Sequence, residues 1–261
     1  MEDTVTTNLG DTISFDIEGS GPPLIFLAGA GPFREIDPAT TQTAQRAADF
    51  GLTTVVYDRI GRGKSFGSEP ITLDREVAAL ARLVDFVGGT AAVCGHSSGS
   101  AIALCAAVSG VAINRLALWE VPFFGTPEHT RRWADDSISM LETGDNVHAV
   151  ELFTRDMPED FRDGLRDSPI WEELITHAQS LRPDAEALAW FDAEPLTQRL
   201  GDLTIPIHAM VGGSTFDEMH MAADAIEIAV DSATKEVMPG ADHNWEVEPM
   251  ARTLARWVAN G

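Results

Sequence analysis

A serine with glycines two positions away on each side stands at Gly95-His96-Ser97-Ser98-Gly99. A hydroxyl is a weak nucleophile near neutral pH. It becomes a strong one when a base takes its proton and fixed donors receive the charge that its attack creates on a carbonyl oxygen. The flanks suit that chemistry. Thr90-Ala91-Ala92-Val93-Cys94 is short and apolar and reads as a buried strand, and Ser98 to Val108 reads as a buried helix of small residues. A strand, a tight turn and a helix around a central serine make a nucleophile elbow. The glycines let strand and helix pass closely, while the turn holds Ser97 in a strained conformation at a helix N-terminus. Small residues also pack helices, so the strand and helix on either side, more than the pentapeptide itself, carry the reading.

A nucleophilic serine needs a neutral imidazole and an acid to orient it. Of seven histidines, His96 adjoins Ser97 and points elsewhere in such a turn, so it reads as a packing or hydrogen-bonding residue. His129, His148 and His177 fall in a polar, helix-rich stretch, His208 within a strand and His220 on a helix. His243 sits in the polar stretch Pro239-Gly240-Ala241-Asp242-His243-Asn244 after the last strand, where the strand ends of a parallel sheet gather. Two acids also follow strand ends, Glu120 and Asp217, and topology alone does not separate them. Asp217 opens a helix, where an acid serves as a simple cap or dipole partner. Glu120 directly follows the apolar strand Leu116-Ala117-Leu118-Trp119 and must be paired or hydrogen-bonded if buried, which favours it. Asp242 adjoins His243, which makes convergence of the two side chains awkward.

The oxyanion needs N–H donors. Leu24 to Ala28 reads as a buried strand that runs into Gly29-Ala30-Gly31-Pro32, a small-residue loop able to turn backbone N–H groups toward a developing charge. Ala30 and Ser98 are the expected donors. A further stretch, Asp58-Arg59-Ile60-Gly61-Arg62-Gly63-Lys64-Ser65, ends like a phosphate-binding loop. That pattern requires glycine where Asp58 stands, so it reads as a structural turn with Asp58 and Arg59 bonding the loop.

Composition narrows the partners. With 18 basic against 41 acidic residues the net charge is −23, which repels nucleic acid and anionic membrane surfaces. The two cysteines, Cys94 and Cys105, read as buried apolar residues, neither a disulfide nor a metal site. The first residues carry no basic or apolar leader, and no apolar run is long enough to span a membrane, so a cytoplasmic protein is expected.

The elements that must hold these residues alternate. A hairpin is expected over Thr4 to Asn8 and Thr12 to Glu18, helices over Pro38 to Phe50 and Leu73 to Val87, and strands over Thr53 to Tyr57, Leu116 to Trp119, Ile205 to Val211 and Thr234 to Met238. Helices are expected over Phe216 to Val230 and Trp245 to Ala259. Alternating strands and helices imply a parallel sheet with helices on both faces. Residues 125–199 differ, with short helices broken at Pro127, Pro158, Pro169 and Pro183. They read as a helical cap inserted in a core of residues 1–124 and 200–261.

In this order and across nearly the whole chain, Ala28-Gly29-Ala30-Gly31, the Tyr57 to Ser65 turn, Gly95-His96-Ser97-Ser98-Gly99 and Gly240-Ala241-Asp242-His243 resemble the α/β-hydrolase superfamily. The resemblance implies the α/β-hydrolase fold: a mostly parallel central sheet, helices on both faces and an inserted helical cap. Cys94 to Gly99 followed by Leu118-Trp119-Glu120-Val121-Pro122 is similar to the branch of small esterases and zearalenone lactonases. That likeness implies a triad of Ser97, Glu120 and His243, with no cofactor and no metal. The His-Gly usual in the oxyanion loop of such proteins is Gly29-Ala30 here. The function expected is hydrolysis of a small-molecule carboxylic ester or lactone through an acyl-enzyme on Ser97. Carbon–carbon bond hydrolysis or perhydrolysis on the same triad, or a non-catalytic ligand-binding protein of this fold, are the alternatives.

Overall fold

Apolar–polar alternation pairs the start of the chain into a hairpin, β1 (Glu2–Thr6) antiparallel to β2 (Thr12–Gly19). Six strands then run parallel: β3 (Pro23–Leu27), β4 (Thr53–Tyr57), β5 (Ala91–His96), β6 (Ile113–Trp119), β7 (Ile207–Ser214) and β8 (Ala233–Ala241). A two-residue β9 (Asn244–Trp245) turns back on β8. This computed structural model describes residues 2–123, 126–168 and 170–259. Among them the sheet order is β1-β2-β4-β3-β5-β6-β7-β8-β9. The expected boundary between residues 124 and 125 and the break at Pro169 lie outside the described residues.

The period of two along each strand divides the core into two faces. Ile25, Leu27, Val93 and Leu118 face one cluster, with helices α2 (Leu73–Phe86) and α3 (Ser98–Val108). Leu24, Phe26, Cys94 and Trp119 face the other, with α1 (Pro38–Asp49) and the closing helix α11 (Val247–Ala259). Full burial of a large apolar side chain is worth about 1.5–3 kcal/mol, so each face is held by many such increments. Cys94 and Cys105 are buried free thiols.

Between β6 and β7 lie α4 (Pro127–Thr143), α5 (Asn146–Phe153), α6 (Glu159–Arg166), α7 (Ile170–Thr176), a 3-10 turn (Ala178–Leu181), α8 (Arg182–Asp192) and α9 (Leu196–Arg199). Pro127 and Pro183 stand in first turns and Pro158 caps α6, positions where a missing N–H costs nothing. Trp133, Phe153, Leu188 and Phe191 of this segment join the same apolar cluster as α3, on which α8 packs.

Two strands outrun their sequence limits. Pro206 lacks an N–H, so β7 begins at Ile207; it then passes through Gly212, which stays paired with β8. The loop expected over Pro239 to Asn244 shrinks to the two residues Asp242 and His243, at φ 51° and 66°. Positive φ at both centres of a two-residue hairpin matches the twist of its strands. Trp245 therefore belongs to β9 and not to the closing helix.

The strand order reverses between β3 and β5, since β4 lies on one side of β3 and β5 on the other. The carboxyl ends flanking such a reversal open a crevice. The loop after β3 and the turn after β5, those carrying Ala30 and Ser97, border it.

Candidate active site

Ser97 is the N-cap of α3 at φ 55° and ψ −129°, a conformation costly for any residue with a Cβ. Its N–H donates to the Trp119 carbonyl at 2.8 Å, and its own carbonyl accepts from the Ser100 N–H at 2.9 Å. A Cβ at Gly95 would lie 2.6 Å from the Ser100 Cα, and one at Gly99 would lie 2.5 Å from the Leu27 and Ala28 carbonyl oxygens. The two glycines are thus steric requirements of the turn. Ser98 opens α3, where the N–H groups have no intrahelical acceptor.

Glu120 and His243, 123 residues apart, meet directly: His243 Nδ1 lies 2.5 Å from Glu120 Oε2. The Gly212 N–H donates to Glu120 Oε1 at 2.8 Å. The Glu120 side chain is fully buried, and that of His243 is 17 % exposed. Burial pushes the Glu120 carboxyl up, but the hydrogen bonds and charge of His243 and the Gly212 N–H outweigh it and hold the group below the usual range. Asp217 lies exposed in the first turn of α10 (Asp217–Ala229). Of the two candidate acids, Glu120 is the one the fold brings to the imidazole.

His96 supports the turn from behind. Its Nε2 donates to the His243 carbonyl at 3.0 Å, as does Trp119 Nε1 at 3.3 Å, and the two imidazole rings stand 4.9 Å apart. Burial, then the proximity of His243, pushes His96 down to about 4. The unfolded chain takes up a proton here below about pH 6.5 while the folded chain does not, so stability is lost as pH falls from 6.5 toward 4. Denaturant titrations at pH 7.5 and 5 should show the loss, and His96→Gln should shrink it. An equal loss in wild type and variant would assign the effect elsewhere.

Ser97 and His243 line one cavity of about 270 Å³ with Ala30 and Ser98. Pro122 and Phe123 after β6, Trp133, Phe153, Phe161 and Leu188 from the helices between β6 and β7, and Phe216 and Met219 near the start of α10 make its lining largely apolar. Among the described residues two charged ones line it, Asp156 and Glu218, and neither Lys nor Arg does. Asp156 pairs with His129 at 3.1 Å. Wider grooves of about 650 and 730 Å³ lie along α11 and along α4 and α8, with no serine, cysteine or histidine among the described residues of their walls.

Beneath the cavity is a buried ionic cluster that sequence reasoning missed. Asp184 Oδ1, on the first turn of α8, accepts from Arg59 Nη1 at 2.6 Å and from the Ser98 hydroxyl at 2.7 Å; Oδ2 accepts from Arg62 Nη2 at 2.7 Å. Both guanidiniums also donate to the Gly29 carbonyl, at 3.1 Å from Arg59 and 2.5 Å from Arg62. Glu76 closes the group, 3.4 Å from Arg59 Nε. Burial and the charge of Arg59 lower Arg62 to about 10, while burial raises Glu76. Removing one partner of such a group typically costs about 3–5 kcal/mol. One signal was available. Glu76 falls within the apolar stripe of Leu73, Val77, Leu80 and Val84, where an acid must have a partner. Asp184, one acid among many, carried none.

Asp58 accepts from the Lys64 and Arg34 N–H groups, both at 3.0 Å, and from the Arg34 guanidinium. Arg59 and Arg62 are fully buried, so the basic stretch presents neither to a polyanion. Among the described residues no group of three or more His, Cys, Asp or Glu could hold a metal ion, and no helix is long and apolar enough to cross a membrane.

Residues 24–256 match the model of the alpha/beta hydrolase family, and the chain belongs to that family. An alpha/beta hydrolase from Sphaerobacter thermophilus DSM 20745 is similar over 98% of this chain and 99% of its own, at 28% identity and a TM-score of 0.83. An esterase from Exiguobacterium antarcticum aligns over 99% of this chain and 100% of its own, at 18% identity and a TM-score of 0.73. An enol-lactonase from Burkholderia xenovorans LB400 aligns over 99% and 98%, at 17% identity and a TM-score of 0.66. These last two likenesses are of fold. No curated protein matches the chain.

Proposed function

We propose that the protein is a serine hydrolase of small, uncharged carboxylic esters or lactones, acting without a cofactor. The observation that carries the reading is the contact between Glu120 and His243 at 2.5 Å beside a cavity that His243 shares with Ser97. His243 removes the Ser97 proton as Oγ bonds to the carbonyl carbon, and the carbonyl electrons move onto oxygen. The N–H groups of Ala30 and Ser98 receive that oxyanion. Glu120 holds the imidazole with Nδ1 protonated and stabilises the imidazolium. The tetrahedral species collapses, His243 protonates the leaving alkoxide, and water repeats the sequence to free the acid. Residues 125–199 serve as the cap, and their aromatic side chains set the size of substrate.

An esterase and an enol-lactonase among the similar folds support an acyl substrate. The test is labelling by a fluorophosphonate, with the modified residue found by peptide mass analysis and with p-nitrophenyl esters and small lactones assayed alongside. Label on Ser97 together with turnover is the expected result. An unlabelled, inactive protein would leave a binding function instead.

The acids at the cavity and the net charge of −23 disfavour anions. A neutral ester is expected to exceed its carboxylate-bearing analogue by about 10-fold or more in kcat/KM, with a gap that narrows in high salt. Equal rates, or a faster anion, would contradict this substrate class.

A further inference from the structure

The Ala30 N–H and the Gly29 carbonyl are opposite ends of one peptide plane. In a trans peptide they point in opposite directions, so whatever grips the carbonyl aims the N–H. Arg59 and Arg62 both donate to that carbonyl. The two guanidiniums are in turn held by the two oxygens of Asp184. Asp184 Oδ1 also accepts from the hydroxyl of Ser98, the residue whose backbone N–H is the second donor. One carboxylate, fully buried and borne by the inserted segment, therefore joins the frames of both donors. Two cations on the Gly29 oxygen also polarise the amide, which strengthens the N–H as a donor.

We propose that Asp184 is a positioning residue that, through Arg59, Arg62 and the Ser98 hydroxyl, sets both oxyanion donors of the site. The inference rests on the serine-hydrolase reading above. It makes the inserted segment part of the catalytic machinery as well as a lid over substrate: α8 must be seated for the donors to be aimed. Glu76 and Ser180 brace the arginines from the sides, Ser180 through Arg62 Nε at 2.9 Å.

The experiment compares Asp184→Asn, Ser98→Ala and wild type on an oxygen ester and on the thionoester of the same acid. A sulfur anion is larger and a poorer acceptor, so a well-aimed oxyanion hole favours the oxygen ester far more. The ratio of the two rates is independent of how much of a sample is folded. Asp184→Asn is expected to lower kcat for the oxygen ester by about 30- to 100-fold and for the thionoester by under about 5-fold, with KM within about 3-fold. Ser98→Ala leaves the ion pairs intact and keeps the backbone N–H. It is expected to move the ratio in the same direction by about 5-fold, and it stands as the test if Asp184→Asn does not fold. A ratio unchanged in the folded variants, whatever the absolute rates, would overturn the proposal and leave Asp184 a stability residue. A wild type that turns over neither ester and resists a fluorophosphonate would instead overturn the serine-hydrolase reading, and this one with it.

Discussion

Ser97→Ala is expected to lower kcat for an activated ester by about 10⁵-fold or more and to abolish fluorophosphonate labelling. The loss exceeds any other single change because, in the proposed mechanism, the hydroxyl oxygen is the atom that bonds to substrate. His243 and the oxyanion donors then have no nucleophile to assist. The fold should not suffer. Alanine keeps the Cβ that the turn already tolerates at φ 55°, and the two backbone hydrogen bonds of residue 97 do not involve the hydroxyl. Thermal unfolding within about 2 °C of wild type would show that chemistry alone was removed. Substrate binding, measured as protection from unfolding, should survive, since the cavity loses one oxygen atom. Ester turnover by the alanine variant within 10-fold of wild type would exclude Ser97 as the nucleophile.

Glu120→Gln is expected to cost about 10⁴-fold in kcat with little change in KM, while Asp217→Asn stays within about 2-fold. The reason lies in the hydrogen bonds. The Gly212 N–H donates to Oε1, so a glutamine must turn its oxygen there. Its NH₂ then faces His243 Nδ1, where the carboxylate accepts at 2.5 Å. Nδ1 becomes the acceptor and the ring proton moves to Nε2, so the nitrogen toward the cavity can no longer take a proton. The imidazolium also loses its counter-charge. Volume and hydrogen-bond count are kept, so stability should change far less than activity. The pairing of an inactive Asp217→Asn with an active Glu120→Gln would transfer the role of the acid to Asp217.

The strands that bury Val93 and Leu118, the elbow glycines and the histidine that follows β8 are short-range patterns, and all were legible along the chain. So was the burial argument that favoured Glu120. The extra length of β7 and β8 was not. Gly212-Gly213 and Pro239-Gly240 look like strand breakers, and neighbouring strands override them: β8 pairs with Gly212, and Trp245 pairs back onto Gly240. The expected six-residue loop thus became a two-residue turn, with Asp242 and His243 both at positive φ.

The class of fold and the candidate nucleophile follow from residues adjacent in sequence, because apolar periodicity and steric limits at glycine act over a few residues. The contact between Glu120 and His243, the hydrogen bond of His96 to the His243 carbonyl and that of the Ser98 hydroxyl to Asp184 join positions 123, 147 and 86 residues apart in the chain. Any of the many acids could have filled the place of Asp184. Folding selected the one that α8, packed on α3, carries into contact with two buried guanidiniums, where water is excluded and an unpaired charge is not tolerated.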